Sequence, residues 1–298
     1  MHTLLQPDIL ARAEALGVKA RQVVEGLRVG DHKSPFRGFS VEFVQHREYV
    51  PGDDIRHIDW KSYGRSERYT VKQYEQETNF ISHLLVDGSN SMSYGEGEEN
   101  KLAYCKLLAA SLAFTIVKQR DSASLRVFDS AWREELPASS SLMQINAICR
   151  TLEGLTPAKK TGVGPLLELF ADQVSRRGIV FLMSDCFDDP ERLLAGLQHL
   201  RFRGHEVVLF HVLHKDEIEF PLDGNVRFLD LEGADELMAR PHLLRPAYLR
   251  AVKEYLTKLQ RGCDGSRVEY VLMRTDRPLR VALGEYLIRR LQLSKLKG

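Results

Sequence analysis

Residues 178–185 read GIVFLMSD, an unbroken apolar run that ends in Ser184 and Asp185. A strand buried on both faces needs such a run, because a half-exposed strand would alternate apolar and polar side chains. Residues 83–87, HLLVD, repeat the plan: an apolar run stopping at an acid, here Asp87. Working outward, strand patterns fall at Ile81–Val86, Ser124–Phe128, Ile179–Met183, Glu206–Val212 and Val268–Met273, with a hairpin continuation at Trp132–Leu136 and a short strand at Val226–Leu231. Helical spacing fits between them at Lys101–Lys118, Ser141–Leu152, Pro165–Arg176, Pro190–Leu200, Pro246–Gln260 and Pro278–Leu293. Several of these begin at a proline, whose missing N–H is tolerated in the first turn. Strands alternating with helices predict a doubly wound, mostly parallel α/β sheet with helices on both faces.

Ahead of that pattern, residues 7–28 carry apolar side chains at helical spacing and predict an amphipathic helix ending at Gly30. Residues 31–76 are irregular, with "FSVEFVQHREYV" as a strand candidate and "PGDD" as a turn. The expected organisation is therefore a helix and arm over 1–79, packed on a main domain over 80–298.

The 298-residue chain balances 42 Lys+Arg against 41 Asp+Glu, and 43% of it is hydrophobic. That composition supplies a full core and gives no bulk attraction to nucleic acid or anionic lipid. The N-terminus shows neither a basic leader nor a continuous apolar segment, and no run is long enough to span a bilayer. The expectation is a cytoplasmic protein without membrane insertion. Cys105, Cys149, Cys186 and Cys263 are scattered without a C-x-x-C pair, as core thiols in a reducing compartment would be.

In such sheets ligands bind at the carboxyl ends of strands where the winding reverses. Asp87 leads there into "DGSNSM", so one carboxylate is followed at alternate positions by the hydroxyls of Ser89 and Ser91. Oxygen donors with little charge suit a hard cation, Mg²⁺ first and Mn²⁺ or Ca²⁺ as alternatives. Thr161, in the loop "AKKTGVG", offers a further hydroxyl, and Asp185 a carboxylate acting through water. A cation held so sparingly keeps an appetite for one more carboxylate from a partner. Two other readings stand beside this one. A Mg²⁺-assisted phosphohydrolase would use Asp87 as nucleophile or ligand, although the second acid and the Gly-x-Ser-x-Gly elbow are missing. The plainer reading makes the same residues turn formers that cap the helix at Lys101, with the motif empty of metal.

"DGSNSM", Thr161 and Asp185 resemble the metal-ion-dependent adhesion site of von Willebrand factor type A domains. The preceding "EFVQHREYVPGDDIRHIDWKSYGRSERYTVKQYEQE" resembles the signature of the bacterial family called domain of unknown function 58. Glu42, Arg47, Tyr49, Gly52, Asp53, Asp54, Arg56, Ile58, Asp59, Trp60, Arg65, Lys72 and Glu77 carry that match. The loop at Thr161 departs from the Gly-Gly-Thr pattern of the adhesion site. The resemblance implies a type A fold, a cation ligated by Asp87, Ser89 and Ser91 with Thr161 and Asp185 in support, and a partnership with a MoxR-type AAA+ ATPase in assembly or maturation. The expected role is thus a non-enzymatic adaptor, its ion held either in the free protein or only once a partner adds the last oxygen.

The arm has its own readings. Arg56 and Asp59 can pair, Asp53 or Asp54 can cap the following turn, and Trp60 can act as a buried anchor clamping the arm. Alternatively the acidic and aromatic residues form a surface read by a partner, with Arg65 and Lys72 as recognition charges, or Arg47, Arg56 and Arg65 bind a small anion. His211 and His214, three apart on an expected strand, face opposite ways and make poor joint ligands. Asp188 or Asp189 is expected to cap the helix at Pro190.

Overall fold

The computed structural model describes residues 15–16, 18–19, 42–50, 60, 63–64, 69–75, 81–158, 162–224, 226–229 and 236–296; for 42–48, 71–75, 228–229, 236–239, 291 and 293–296 only the backbone is described. The chain divides into two compact units, residues 37–80 and residues 1–36 with 81–298.

The larger unit is built on a six-stranded sheet. Its strands are β3 (Ile81–Asp87), β4 (Ser122–Phe128), β5 (Trp132–Ser139), β6 (Gly178–Ser184), β7 (Glu206–Leu213) and β10 (Glu269–Arg274), in the spatial order β10-β7-β6-β3-β4-β5. All neighbours run parallel except the edge strand β5, which turns back antiparallel on β4. The chain winds outward from β3 through β4 to β5, then returns to lay β6 on the other side of β3. The reversal falls between β3 and β6, which puts the crevice at the ends of the two strands that finish in Asp87 and Ser184. The expected doubly wound sheet is what the protein has.

Helices α1 (Lys101–Lys118), α2 (Met143–Glu153), α3 (Val163–Gln173), α4 (Pro190–Phe202), α5 (Lys215–Glu219) and α6 (Pro241–Gly265) lie in the connections between strands, and α7 (Leu279–Leu296) follows β10. Strand pleating sends alternate side chains to opposite layers. On one face Leu85, Val180, Leu182, Val207 and Leu209 join Leu167 and Phe170 of α3, Leu193 and Leu197 of α4 and Leu259 of α6 in one core. On the other, Phe181 stacks on Phe210, and Phe210 meets Tyr286 of α7 edge-on at 5.0 Å. β6 is buried along its whole length, as its unbroken apolar run demands. The four cysteines are free and buried among these layers.

One helix packing, α3 against α4, is closer than side chains allow. A Cβ on Gly164 of α3 would stand 2.7 Å from Arg192 O, and one on Gly196 of α4 would stand 2.8 Å from Gly164 O. Both positions are glycine because the two backbones nearly touch. Residues 15–16 and 18–19 are helical, with Leu16 buried and Lys19 donating to Glu98 at 3.0 Å. β8 (Val226–Leu229) and β9 (Glu236–Ala239) form a separate two-stranded ribbon.

In the smaller unit β1 (Glu42–Glu48) pairs antiparallel with β2 (Thr70–Glu75), Arg47 opposite Val71. An aromatic ladder continues from it: Tyr63 stacks on Tyr69 at 4.5 Å and Trp60 meets Tyr63 edge-on. Trp60 is 61% exposed, so it is no buried anchor; its ring is held by Tyr63 instead. Asp53, Asp54, Arg56, Asp59 and Arg65 lie outside the described residues.

Candidate functional site at the sheet switch point

Asp87 ends β3 and is fully buried. Its Oδ1 accepts from Ser89 N at 2.9 Å, and its Oδ2 accepts from the Ser184 hydroxyl at 2.5 Å. The second bond spans the reversal itself, since β3 and β6 pair up to Val86 and Met183, the residues just before Asp87 and Ser184. Burial, with the Asp185 charge added, pushes the Asp87 carboxyl up to about 7, against the pull of the Ser184 and Ser89 hydrogen bonds. The acid is held rigidly and is short of positive charge.

The backbone then turns through a 3₁₀ segment, Asn90–Ser93, that brings the hydroxyls of Ser89 and Ser91 to 3.1 Å. Ser89 is buried, and Ser91 keeps 8% exposure. Two oxygens on neighbouring vertices of an octahedral Mg²⁺ site, with bonds of about 2.1 Å, lie about 3.0 Å apart. The Ser89–Ser91 spacing therefore fits a pair of adjacent ligands. Among the described residues no group of three or more His, Cys, Asp and Glu is arranged to hold a metal, so hydroxyls make up most of this donor set. Turn formation accounts for part of the motif, because Ser89 N returns to Asp87 and Ser93 Oγ donates to Asn90 O. Capping does not: α1 is capped by Asn100, whose Oδ1 accepts from Ala103 N and whose Nδ2 ties down Ser93 O and Gly95 O.

Thr161 lies outside the described residues with Lys159 and Lys160, but both flanks of that triplet are fixed. Ala158 N donates to Gly88 O at 3.0 Å, and Gly162 N donates to Asp129 O at 3.3 Å. Val163 N and Gly164 N donate to Asp188 Oδ2 at 2.9 and 3.3 Å. Asp129 follows β4 and Asp188 follows β6, so residues 162–163 are strung across the end of β3 between them. Asp188 thus serves α3, while Asp189 caps α4 through Glu191 N and Arg192 N.

Asp185 is buried beside this centre, but its oxygens are engaged. Oδ2 accepts from Lys101 Nζ at 2.7 Å, and Oδ1 accepts from Phe187 N at 3.3 Å. Lys101, the first residue of α1, is itself 1% exposed and reaches Glu217 Oε1 of α5 at 2.6 Å. Its ammonium lies 5.2 Å from the centre of the Phe187 ring and 6.0 Å from that of Tyr94. Burial would depress such an ammonium; Asp185 and Glu217 outweigh it and hold Lys101 above the ordinary lysine value. Cys186, next in sequence, adopts φ +56°, a left-handed conformation uncommon for a side-chain-bearing residue. It is held there by Cys186 N donating to Ser184 Oγ and by the Tyr255 hydroxyl of α6 donating to its carbonyl.

Lys101, Asp129 and Glu217 are missing from the residues picked out by sequence. Lys101 and Glu217 have no motif, since their meeting depends on α1 and α5 converging at β6 from separations of 84 and 116 residues. Asp129 had a readable signal: it follows an apolar strand as Asp87 does. His211 and His214 part company as expected but for a different reason. His211 Nε2 pairs with Asp185 O and Nδ1 with the Tyr270 hydroxyl, whereas His214 lies beyond the end of β7 and caps α5. The rim beyond Ser93 borders a groove of about 850 Å³ lined by Tyr94, Glu96, Glu99, His214 and Lys215.

A doubly wound sheet with an Asp-x-Ser-x-Ser loop at its reversal defines a von Willebrand factor type A-like domain. The chain belongs to the DUF58 family, described as proteins of unknown function, whose profile matches residues 45–257. The uncharacterized protein Rv1480 of Mycobacterium tuberculosis strain H37Rv is 26% identical over 276 residues, spanning 91% of this chain and 86% of that one. Among solved structures, the conserved hypothetical protein BatB from Bacteroides thetaiotaomicron is similar at TM-score 0.47 and 17% identity, over 72% of this chain and 99% of that one. The SpRpn10 VWA domain is similar at TM-score 0.33 and 11% identity, over 45% of this chain and 75% of that one. Among the described residues no helix is long and apolar enough to cross a membrane.

Proposed function

We propose that this protein is a non-enzymatic adaptor that docks a carboxylate of a partner through a divalent cation held by Asp87, Ser89 and Ser91, with Thr161 completing the hydroxyl set. The observation that carries the reading is the 3.1 Å spacing of the Ser89 and Ser91 hydroxyls beside a buried carboxyl that has no ion pair among the described residues. The anchored flanks at Ala158 and Gly162 support Thr161 as the next donor. A Mg²⁺ or Mn²⁺ ion there would supply an open coordination position with charge to spare. The protein's own part is to fix Asp87 through Ser184, hold the serine loop through Asn100, and span the end of β3 with residues 162–163. An Asp87 fully buried with both oxygens hydrogen-bonded favours a ligand over a nucleophile.

The partner proposed is a MoxR-type AAA+ ATPase or the client such a pair remodels, on the strength of the signature over residues 42–77. The test is capture of the ATPase encoded nearest this gene by the full chain, with Mg²⁺ and with EDTA. Capture that fails in EDTA, in Asp87→Ala and in Ser89→Ala supports the reading. Capture indifferent to all three overturns the cation-bridged adaptor.

A further inference from the structure

Three neighbouring strands, β6, β3 and β4, each run into an aspartate: Asp185, Asp87 and Asp129. The outer two have cations of their own. Lys101 lies 2.7 Å from Asp185, and Arg133 Nε lies 3.6 Å from Asp129 Oδ2, whose other oxygen accepts from Ala131 N and the Ser130 hydroxyl. Asp87, between them, has no ion pair among the described residues; its oxygens meet only Ser89 and Ser184. Charge along the crevice is therefore compensated at both flanks and left open at the centre.

We propose that Lys101 is the charge-setting residue of this site: by holding Asp185 and Glu217 it leaves Asp87 as the sole carboxylate offered to a cation. The inference rests on the cation reading above and adds what controls its affinity. Cation sites are tuned by the number of charged ligands they provide. An ammonium buried against Asp185 withdraws one such ligand, while Glu217 on its other side keeps the ammonium itself compensated. The site is then weak in the free chain, filled only at high cation concentration, and tightens once a partner's carboxylate replaces the withdrawn one, which couples occupancy to capture. The placement of Lys101 is specific, because Asp185 Oδ2, Glu217 Oε1 and the Phe187 and Tyr94 rings converge on its ammonium from β6, α5 and the rim loops.

The test is calorimetric titration of Mn²⁺ into the full chain, alongside Mn²⁺-dependent melting shifts, for the unaltered protein, Lys101→Met and Asp185→Asn. Lys101→Met is expected to bind Mn²⁺ at least tenfold tighter than the unaltered chain, and Asp185→Asn within threefold of it. If the unaltered chain binds Mn²⁺ and folded Lys101→Met binds it no tighter, Lys101 does not set the affinity, and the cation reading still stands. If Asp185→Asn loses tenfold or more, Asp185 serves the ion directly and the inference is overturned. If neither the unaltered chain nor folded Lys101→Met binds, inference and cation reading fall together. Should Lys101→Met not fold, Lys101→Gln, which keeps a hydrogen-bond donor beside Asp185 without the charge, takes its place with the same expected and overturning results.

Discussion

Ser184 donates a 2.5 Å hydrogen bond to Asp87 across the seam between β6 and β3, and the same hydroxyl accepts from Cys186 N at 2.9 Å. One hydroxyl thus satisfies a buried carboxylate oxygen and a buried amide. Ser184→Ala leaves both unpaired and is expected to cost about 2–3 kcal/mol. Urea denaturation should show a lower midpoint with an unchanged slope. A loss below about 0.5 kcal/mol would mean that other groups already satisfy both atoms.

The closeness of α3 and α4 gives a second expectation. A Gly164→Ala methyl would meet Arg192 O at 2.7 Å, and backbone cannot step aside as a flexible side chain can. Thermal melting should show a loss of about 1–3 kcal/mol. Gly265→Ala is the control: apart from its chain neighbours and its own helix's backbone, nothing lies within 4 Å of its Cβ, and the change should stay within about 1 kcal/mol of neutral.

Acid should destabilise the domain through its buried imidazoles. Burial, then the nearby His205 and Arg126 charges, lowers His83 from 6.5 to about 3, and burial lowers His211 to about 4. Between those values and 6.5 the unfolded chain binds protons that the folded chain refuses, so the contribution of the two histidines is greatest above pH 6.5 and is lost as pH drops toward 3, against the opposite contribution of the raised Asp87 carboxyl. Each histidine contributes a slope of about 1.4 kcal/mol per pH unit inside its window. Denaturation at pH 7 and pH 5 checks this, and His83→Asn should flatten the difference.

Chelation should matter to the unaltered chain in proportion to occupancy. A ligand at a hundredfold excess over its dissociation constant stabilises the folded state by about 2.7 kcal/mol. Millimolar Mn²⁺ should therefore raise the melting temperature, EDTA should reverse it, and Asp87→Asn should show neither change. An equal shift in Asp87→Asn would place the ion elsewhere.

Strand and helix order were legible because β6 is an unbroken apolar run and β3 and β7 carry the apolar stretches Leu84–Val86 and Val207–Phe210, and α1 has the same ends in sequence and structure. Helix starts were less so. α3 begins at Val163 rather than Pro165 because Asp188, 25 residues away, caps it, and no local pattern encodes that partner. α6 begins at Pro241 and carries Pro246 inside it. Residues 242–247 are exposed, so water can meet the carbonyl that Pro246 leaves unbonded. β2 was hidden in a stretch read as irregular, because a two-stranded ribbon needs little apolar alternation. At the site, Asp87 accepts from Ser89 N, the Ser89 and Ser91 hydroxyls lie 3.1 Å apart, and Asp185 is buried beside them. What the sequence could not convey is that Asp185 arrives already paired, since Lys101 reads as an ordinary helix residue until the fold buries it.

The antiparallel edge strand β5 limits how anything can join this sheet. Glu134, Glu135 and Pro137 are exposed along it, Arg126 is tied to Glu135, and its pairing with β4 is interrupted by two irregularities in register. Charges, a missing amide and bulges together discourage another chain from hydrogen-bonding onto that border. The sheet is thereby guarded against growth by strand addition along β5, the edge two strands away from the crevice.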